Sequence, residues 1–258
     1  MLKRVRCDLN KKKTCFNKKS KYIKSYKTIK RLLRIFNFFN KYTAPKTKFT
    51  KFVSLGINCL PRTYFTQWGI KKNKASGELS MPFDLMYGKK MNVIVNLFND
   101  FKYFFDDLDF NKETQMFYCT DDRALYNHDQ DLNGDLEKFV ERYENRIKNF
   151  LQTMKSKENI LFIQLNNCVE DESHYINCLF ETLKFKRGKK PFALLILDLT
   201  YDKALDLSKI NPKINVIREP FPSKEYVWWK PEHKMSEVGV RYEERLKNRV
   251  LEFLSDYK

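Results

Sequence analysis

One cysteine of the sequence lies where nucleophilic chemistry is favoured. Residues 51–55, Lys-Phe-Val-Ser-Leu, are predicted to form a short β-strand, which ends at Gly56. Asn58 is a good helix N-cap, and Pro61 suits the first turn of a helix, where its missing N–H costs nothing. Cys59 is therefore predicted in the first turn of a helix, just beyond the carboxyl end of a strand.

This placement predicts an activated thiol. The N–H groups and the dipole of a helix N-terminus stabilise a thiolate and lower its pKa. The same N–H groups can bind the oxyanion of a reacting acyl group. Ligands of open α/β sheets bind at the carboxyl ends of strands, so Ser54, Gly56 and Asn58 are the predicted binding residues. The alternative is that Cys59 is a small buried residue used for packing.

A nucleophilic cysteine needs a base, and the chain has three histidines. A histidine on a loop at a helix entrance can reach a thiol, while a carboxylate orients its second ring nitrogen. The candidates are His128, which precedes an acid-rich turn and is favoured by the family resemblance described next, and His174 as the alternative to it; His233 lies in an aromatic loop. Asp84, in the turn at residues 81–84, is the predicted orienting carboxylate, and stabilisation of that turn is its structural alternative.

These residues together resemble a known family. Ser54-Leu55-Gly56-x-x-Cys59 is followed by Pro82-Phe83-Asp84, and then by His128-Asp129 before a helix with Arg142-Tyr143-x-x-Arg146. This order is similar to that of a bacterial domain-of-unknown-function family described as papain-like cysteine peptidases, over roughly residues 50–165. The resemblance implies a cysteine nucleophile with a histidine and a carboxylate or amide partner.

The sequence departs from authentic papain-like enzymes around the cysteine. Their nucleophile is flanked by Gln and by a Cys-Trp pair, whereas Asn58 and Leu60 flank Cys59. The broader prediction is therefore a cysteine-dependent hydrolase or acyl transferase, and a peptidase is what the resemblance implies. The alternative is a non-enzymatic module that binds an anionic ligand at the helix start, Gly56–Cys59. In that case a basic N-terminal arm would dock it to a membrane or an acidic partner.

No other motif competes with this interpretation. Asp129-x-Asp131-x-Asn133-Gly134 begins like a calcium loop, but its twelfth position is Val140 instead of Glu. A capped helix entrance near Asp135 explains these residues better. The sequence contains no glycine-rich phosphate loop, no HExxH and no zinc-spaced set of Cys and His. We therefore expect neither a metal nor a cofactor.

Hydrophobic periodicity predicts the elements that position these residues. Continuous apolar runs predict buried strands, and apolar residues at three- and four-residue steps predict helices. The strands are expected at 51–55, 160–165, 192–199 and 214–217, and the helices at 59–68, 91–105, 136–154, 174–185 and 237–257. This alternation predicts an α/β domain of three layers with a mostly parallel sheet, spanning residues 48–258.

Residues 1–47 are predicted to form a basic arm in front of this domain. Residues 1–48 contain 17 Lys and Arg and one acid, a net charge of +16, which leaves +2 of the total of +18 for the other 210 residues. Residues 22–39 alternate apolar and basic side chains at helical spacing, which predicts a basic amphipathic helix. Such a helix either docks on an anionic membrane surface or packs on the domain.

Composition and charge distribution exclude several classes of protein. A content of 42% hydrophobic and 15% aromatic residues excludes wholesale disorder. No uncharged apolar run reaches the roughly 18 residues that span a bilayer. Because the basicity is confined to the arm, specific nucleic-acid binding by the domain is not favoured. Six cysteines without a CxxC pair, and no signal segment, predict a cytoplasmic protein, and the arm allows peripheral membrane attachment.

Overall fold

Strands and helices alternate along most of the chain. The computed structural model describes residues 45–121, 124–166, 172–202 and 204–257. In chain order the elements are β1 (Lys51–Ser54), α1 (Leu60–Gln67), β2 (Tyr87–Gly88), α2 (Lys90–Phe98), β3 (Leu108–Asn111), β4 (Met116–Cys119), β5 (Ala124–Tyr126), α3 (Leu136–Lys155), β6 (Ile160–Asn166), α4 (Ser173–Arg187), β7 (Phe192–Asp198), β8 (Asn215–Arg218), α5 (Pro231–Lys234) and α6 (Glu237–Asp256). Short 3-10 turns lie between some of them.

The four strands that were predicted form one parallel sheet. They lie in the order β1, β6, β7, β8, and every neighbouring pair is parallel. β6 is buried along its whole length and β7 along nearly all of it, as expected for central strands that are covered on both faces. Because the strands are parallel, their carboxyl ends lie at one edge of the sheet, where β1 leads to Cys59.

Helices cover both faces of this sheet. Ile160 and Phe162 of β6 belong to the apolar cluster that includes residues of α2, α3 and α4. The alternate residues Leu161 and Ile163 belong to the cluster that includes α1 and α6. The domain therefore has three layers around the parallel sheet, which confirms the predicted α/β class.

A second sheet was not predicted. Its strands are antiparallel and lie in the order β2, β5, β4, β3. The predicted helix at 91–105 is wrong beyond Phe98, because Asp100 and Phe101 both have positive φ angles, 49° and 64°, and end the helical path. The strands of this sheet have only two to four residues, too few for a clear alternating pattern.

The antiparallel sheet connects the two halves of the candidate site. Tyr87 and Gly88 of β2 pair with β5, which directly precedes the loop of His128. The Gly88 N–H also donates to the carbonyl of Ile57, at 3.3 Å, in the turn between β1 and α1. The segment before His128 is thus fastened to the turn before Cys59 through one short strand.

Residues 1–44 of the N-terminal arm lie outside the described residues, and so do Cys7, Cys15 and Cys168. The amphipathic helix over residues 22–39 and the division of the chain at 47 and 48 stay predictions. Among the helices that the structure does describe, none has both the length and the apolar character needed to cross a bilayer.

A buried guanidinium holds the connection between α3 and β6. Arg187, at the end of α4, is fully buried, and its side chain donates to five backbone carbonyls. Three of them belong to the end of α3 and the residue after it, Thr153, Met154 and Ser156, at 2.8–3.3 Å. A cation at the C-terminus of a helix satisfies carbonyls that have no partner within the helix.

Replacing Arg187 with Met is expected to lower the free energy of unfolding by about 3–5 kcal/mol, because buried carbonyls lose a charged donor. Arg187→Lys keeps the charge without the planar fork of donors and should lie between Met and the natural residue. Urea unfolding followed by circular dichroism measures both. Arg241→Met, at an exposed ion pair with Glu237, is the control and should change little. An Arg187→Met midpoint equal to that of the natural protein would contradict this role.

Candidate active site

A strained turn delivers Cys59 to the carboxyl edge of the parallel sheet. Gly56 and Ile57 have φ angles of 82° and 61°, a left-handed conformation that a β-branched residue rarely adopts. Such a conformation costs about 1–3 kcal/mol and persists where the surroundings enforce it. Ile57 is buried, and its carbonyl accepts the Gly88 N–H. The turn places Cys59 as the backbone N-cap of α1.

Asn58 caps this helix through its side chain, as the sequence predicts. Its Oδ1 accepts the Leu60 N–H at 2.8 Å, and the Thr63 N–H donates to the Cys59 carbonyl at 2.9 Å. Pro61 lies in the first turn and has no N–H to satisfy. The N–H groups of Leu60 and Thr63 therefore have acceptors at the start of the helix, and Cys59 is held at a fixed position.

The two motifs around Gly56 and Phe83 meet in space. A Cβ atom on Gly56 would lie 3.3 Å from Phe83 Cβ and 3.5 Å from its carbonyl oxygen. Gly56 is thus required both for its positive φ and for the close approach of the Phe83 backbone. The glycine after β1 thus lets the Pro-Phe-Asp segment pack directly against the turn before Cys59.

The central contact of the site joins Cys59 to His128. His128 Nε2 lies 3.3 Å from Cys59 Sγ. The thiol is half-buried and the imidazole is exposed, so the pair can be reached from solvent. A thiol and an imidazole at this distance can exchange a proton directly.

Burial determines the acidity of Cys59. Removal of the side chain from water raises the pKa of the thiol, while its own backbone N–H and the Thr63 hydroxyl lower it in part. The net pKa is above the ordinary value, which corrects the prediction that the helix N-terminus makes this thiol more acidic. The helix dipole is therefore insufficient here, and forming the thiolate at neutral pH requires a neighbouring base.

His128 is positioned through the residue that follows it. Asp129 is fully buried, and its carboxylate accepts from Arg142 Nη1 at 2.9 Å, from Arg146 Nη2 at 3.2 Å and from the Tyr143 hydroxyl at 2.9 Å. All three donors lie on α3, and the Arg146 guanidinium also stacks over the Tyr143 ring. We call these four residues the Asp129 clamp. It fixes the backbone of the loop that carries His128.

The loop after Asp129 ends at Asp135, which caps α3 as the sequence predicts. Asp135 Oδ1 accepts the Lys138 N–H at 3.0 Å at the start of α3. Asn133 and Gly134 have positive φ angles, and a Cβ on Gly134 would clash with the Phe110 ring at 2.7 Å. The calcium-like spacing is therefore a helix entrance. No group of three or more His, Cys, Asp or Glu side chains among the described residues is arranged to hold a metal.

The described partners of Asp84 are in its own turn and on α1. Its Oδ2 accepts the Met81 N–H at 2.9 Å and lies 3.4 Å from Arg62 Nε on α1. Its Oδ1 is buried without a hydrogen-bond partner among the described residues. Asp84 thus closes the turn at residues 81–84, the structural alternative given above, and ties it to the helix of Cys59. None of the contacts described for Asp84 and His128 joins the two side chains.

The predicted binding residues have structural contacts of their own. Ser54 is buried at the end of β1, and its hydroxyl accepts the Gly56 N–H at 3.5 Å. Gly56 packs under Phe83, and Asn58 caps α1. All three support the turn that presents Cys59, and their roles in binding a ligand stay predictions.

The other two histidines lie elsewhere. His174 Nε2 is 3.6 Å from Cys178 Sγ, one turn away on the same helix, α4. His233 Nδ1 accepts the Val227 N–H at 2.8 Å in the connection after β8. The described contacts therefore pair Cys59 with His128, and they place the alternative base beside a different thiol.

Sequence reasoning missed the clamp, although its residues were noted. Arg142, Tyr143 and Arg146 have the i, i+1, i+4 spacing that places both arginines on one face of a helix. Asp129 directly follows the candidate base and precedes this helix, and that order could have predicted an ion pair between Asp129 and the arginines. The sequence prediction assigned a carboxylate to the imidazole of His128 and none to the backbone beside it.

Replacing His128 with Gln is expected to lower the rate of Cys59 alkylation by iodoacetamide at pH 7 at least tenfold. In this variant no neighbouring base takes the thiol proton. Because burial raises the pKa of Cys59, labelling of the variant should develop only at higher pH. Mass-spectrometric mapping between pH 6 and 9 measures the rate at each cysteine. His174→Gln is the matched control and should leave the Cys59 profile unchanged. Superimposable Cys59 profiles for His128→Gln and the natural protein would contradict the pairing.

Replacing Asp129 with Asn is expected to lower the free energy of unfolding by about 3 kcal/mol, because the largely buried Arg146 guanidinium loses its counter-charge and Arg142 keeps only its pair with Asp131. Its Cys59 alkylation profile should also move toward that of His128→Gln, a change that destabilisation alone would not produce in the folded protein. Asp131→Asn is the control, since Asp131 binds the same Arg142 from an exposed position. A destabilised variant with an unchanged Cys59 profile would rule out the positioning role.

Comparison of the chain with models of protein families, with curated proteins and with solved structures found no match. The motif resemblance to papain-like cysteine peptidases therefore stays a prediction. In the geometry of the site a thiol and an imidazole meet at the carboxyl edge of a parallel sheet.

Proposed function

We propose that the protein is a cysteine-dependent hydrolase or acyl transferase in which Cys59 is the nucleophile and His128 the base. The observation that carries this proposal is the 3.3 Å contact between Cys59 Sγ and His128 Nε2. The exposure of the imidazole and the location at the carboxyl edge of a parallel sheet add support, because ligands bind at that edge in open α/β folds.

In the proposed acylation step His128 Nε2 takes the thiol proton while Sγ attacks the carbonyl carbon of the substrate. A carbon–sulfur bond forms, and the carbonyl oxygen becomes an oxyanion. When this intermediate collapses, the bond to the leaving amine or alcohol breaks, and the leaving group takes the proton from His128. A thioester on Cys59 remains, and the imidazole is neutral again.

In the second step an acceptor attacks this thioester. A water molecule gives its proton to His128 and bonds to the carbonyl carbon, the carbon–sulfur bond breaks, and Cys59 recovers the proton. The net reaction is hydrolysis of the acyl compound. An amine or alcohol in place of water gives acyl transfer. The raised pKa of Cys59 supports direct proton transfer to the base over a pre-formed thiolate.

The start of α1 offers donors for the oxyanion. The backbone N–H of Cys59 belongs to the same residue as the sulfur, and it has no acceptor among the described residues. The N–H of Arg62 has no acceptor among the described residues. Two such donors suffice for an oxyanion site in acyl-transfer enzymes.

The non-enzymatic alternative has less support. An anion-binding helix start depends on several free N–H groups. Here the Leu60 N–H is taken by Asn58, and Pro61 has none. The same helix start is thus better suited to one developing oxyanion than to a permanently bound anionic ligand. A papain-like peptidase activity is the narrower form of the proposal, and it rests on the motif resemblance.

The proposal is tested by trapping the acyl-enzyme. Incubation with p-nitrophenyl acetate should release nitrophenolate in a burst and leave one acetyl group on Cys59, located by mass spectrometry. Cys59→Ala should abolish the burst, and His128→Gln should slow it by about 10²-fold or more.

Cys178 provides an internal control for this experiment, because it also has a histidine neighbour but lies in the middle of a helix. Cys178→Ala should leave the burst unchanged. Equal acetylation of both cysteines, or a burst that survives Cys59→Ala, would contradict the proposed nucleophile.

A further inference from the structure

A threonine one helical turn after Cys59 contacts the reacting sulfur. Thr63 lies near the start of α1, and its backbone N–H donates to the Cys59 carbonyl at 2.9 Å. Side chains four residues apart lie on the same face of a helix, one above the other. In keeping with this placement, the Thr63 hydroxyl hydrogen-bonds the Cys59 thiol. The sulfur therefore has a neighbour on its own helix and a second one, His128, on the loop after β5.

These two neighbours can do different things for the sulfur. The hydrogen bond from Thr63 lowers the pKa of Cys59, which shows that it favours the thiolate and that the hydroxyl is its donor. A thiolate can only accept, so this bond persists when the thiol proton leaves, and it strengthens with the charge. A neutral imidazole has one nitrogen that accepts a proton. His128 can thus take the proton while Thr63 stabilises the charge that remains.

The helix α4 contains a similar pair in which the hydroxyl has another partner. Cys178 and Thr182 are also four residues apart, and Cys178 Sγ also has an imidazole neighbour, His174, at 3.6 Å. Thr182 Oγ1 donates to the Cys178 carbonyl at 2.8 Å, the common bond of a threonine inside a helix. The bond described for the Thr63 hydroxyl is instead the one to the thiol. The donor to sulfur is therefore a property of the Cys59 site and not of every threonine that follows a cysteine by one turn.

The proposed reaction needs such a donor because Cys59 is largely shielded from water. Burial raises the pKa of this thiol, so negative charge on the sulfur is costly. Charge develops there twice, first when His128 takes the thiol proton and again when the carbon–sulfur bond of the thioester breaks. A fixed donor aimed at a charge that develops in a shielded site lowers the barrier to forming that charge. A hydroxyl at this position would therefore assist both steps.

We propose that Thr63 is a third catalytic residue, whose hydroxyl donates to the Cys59 sulfur whenever the sulfur carries negative charge. This inference rests on the proposed function, in which Cys59 is the nucleophile and His128 the base. The hydroxyl keeps its own proton throughout, so the bonds made and broken in the two proposed steps are unchanged.

The experiment removes the hydroxyl and keeps the shape of the side chain. In Thr63→Val the rate of Cys59 alkylation by iodoacetamide is mapped between pH 6 and 9, and the burst with p-nitrophenyl acetate is timed. The alkylation profile should move about one pH unit higher and the burst should slow about tenfold, because a hydrogen bond to a charged group is lost. His128, the titratable group described in contact with the sulfur, is the same in both proteins.

Two further variants separate the hydroxyl from the packing of the side chain. Thr63→Ser restores the donor and should recover most of the natural profile and burst. Thr182→Val is the matched control, since it also removes a hydroxyl one turn after a cysteine, and it should leave both measurements at Cys59 unchanged. Thermal unfolding by circular dichroism shows that all three variants fold.

The outcomes distinguish this inference from the proposed function. A Thr63→Val profile that superimposes on the natural one, or equal slowing of the burst in Thr63→Val and Thr63→Ser, would overturn the role of Thr63 while Cys59 and His128 keep theirs. Absence of a burst from the natural protein would overturn the proposed function, and the catalytic role of Thr63 with it. The alkylation profiles would then still decide whether the hydroxyl donates to the sulfur.

Discussion

The candidate site depends on the buried carboxylate of Asp129. A carboxylate without water is tolerated only when donors surround it, and α3 supplies two guanidinium groups and a phenol. This requirement fixes the loop between β5 and α3 to one position on the helix. His128, the preceding residue, therefore extends from a rigid anchor even though its ring is exposed. An exposed imidazole on a loose loop would not remain at 3.3 Å from a thiol.

The thiol is held just as firmly from the other side. The left-handed conformation at Gly56 and Ile57 stores strain, and it is maintained by Phe83 packed over Gly56 and by the Gly88 N–H on the Ile57 carbonyl. Since β2 and β5 pair, the two anchors belong to one hydrogen-bonded assembly. Burial raises the pKa of Cys59, so the contact with His128 is chemically necessary if this thiol is to react near neutral pH.

The sequence was sufficient where local pattern and topology act together. Continuous apolar runs such as residues 192–198 identified the parallel strands, and the residues around Cys59 predicted its place at a helix start beyond the carboxyl end of a strand. The capping role of Asn58 followed from its residue type. These features depend on a few neighbouring residues, which is why they can be read from the sequence.

Other features depend on distant contacts and could not be read in this way. The strands of the second sheet are too short to show a period, and the positive φ angles at Asp100 and Phe101 have no glycine to announce them. Asp84 was predicted to orient the imidazole, but the partners described for its carboxylate are Arg62 and the Met81 N–H. The lowered thiol pKa was wrong because burial cannot be judged from one helix start.

The contact between Cys59 Sγ and His128 Nε2 is tested most directly by the ring nitrogen resonances of the three histidines. The protein is labelled with ¹⁵N-histidine, and long-range spectra of the natural chain and of Cys59→Ala are compared at pH 7. The account predicts that the His128 ring signals shift while those of His174 and His233 stay in place, and that Cys178→Ala shifts His174 alone. Unchanged His128 signals in Cys59→Ala would contradict it.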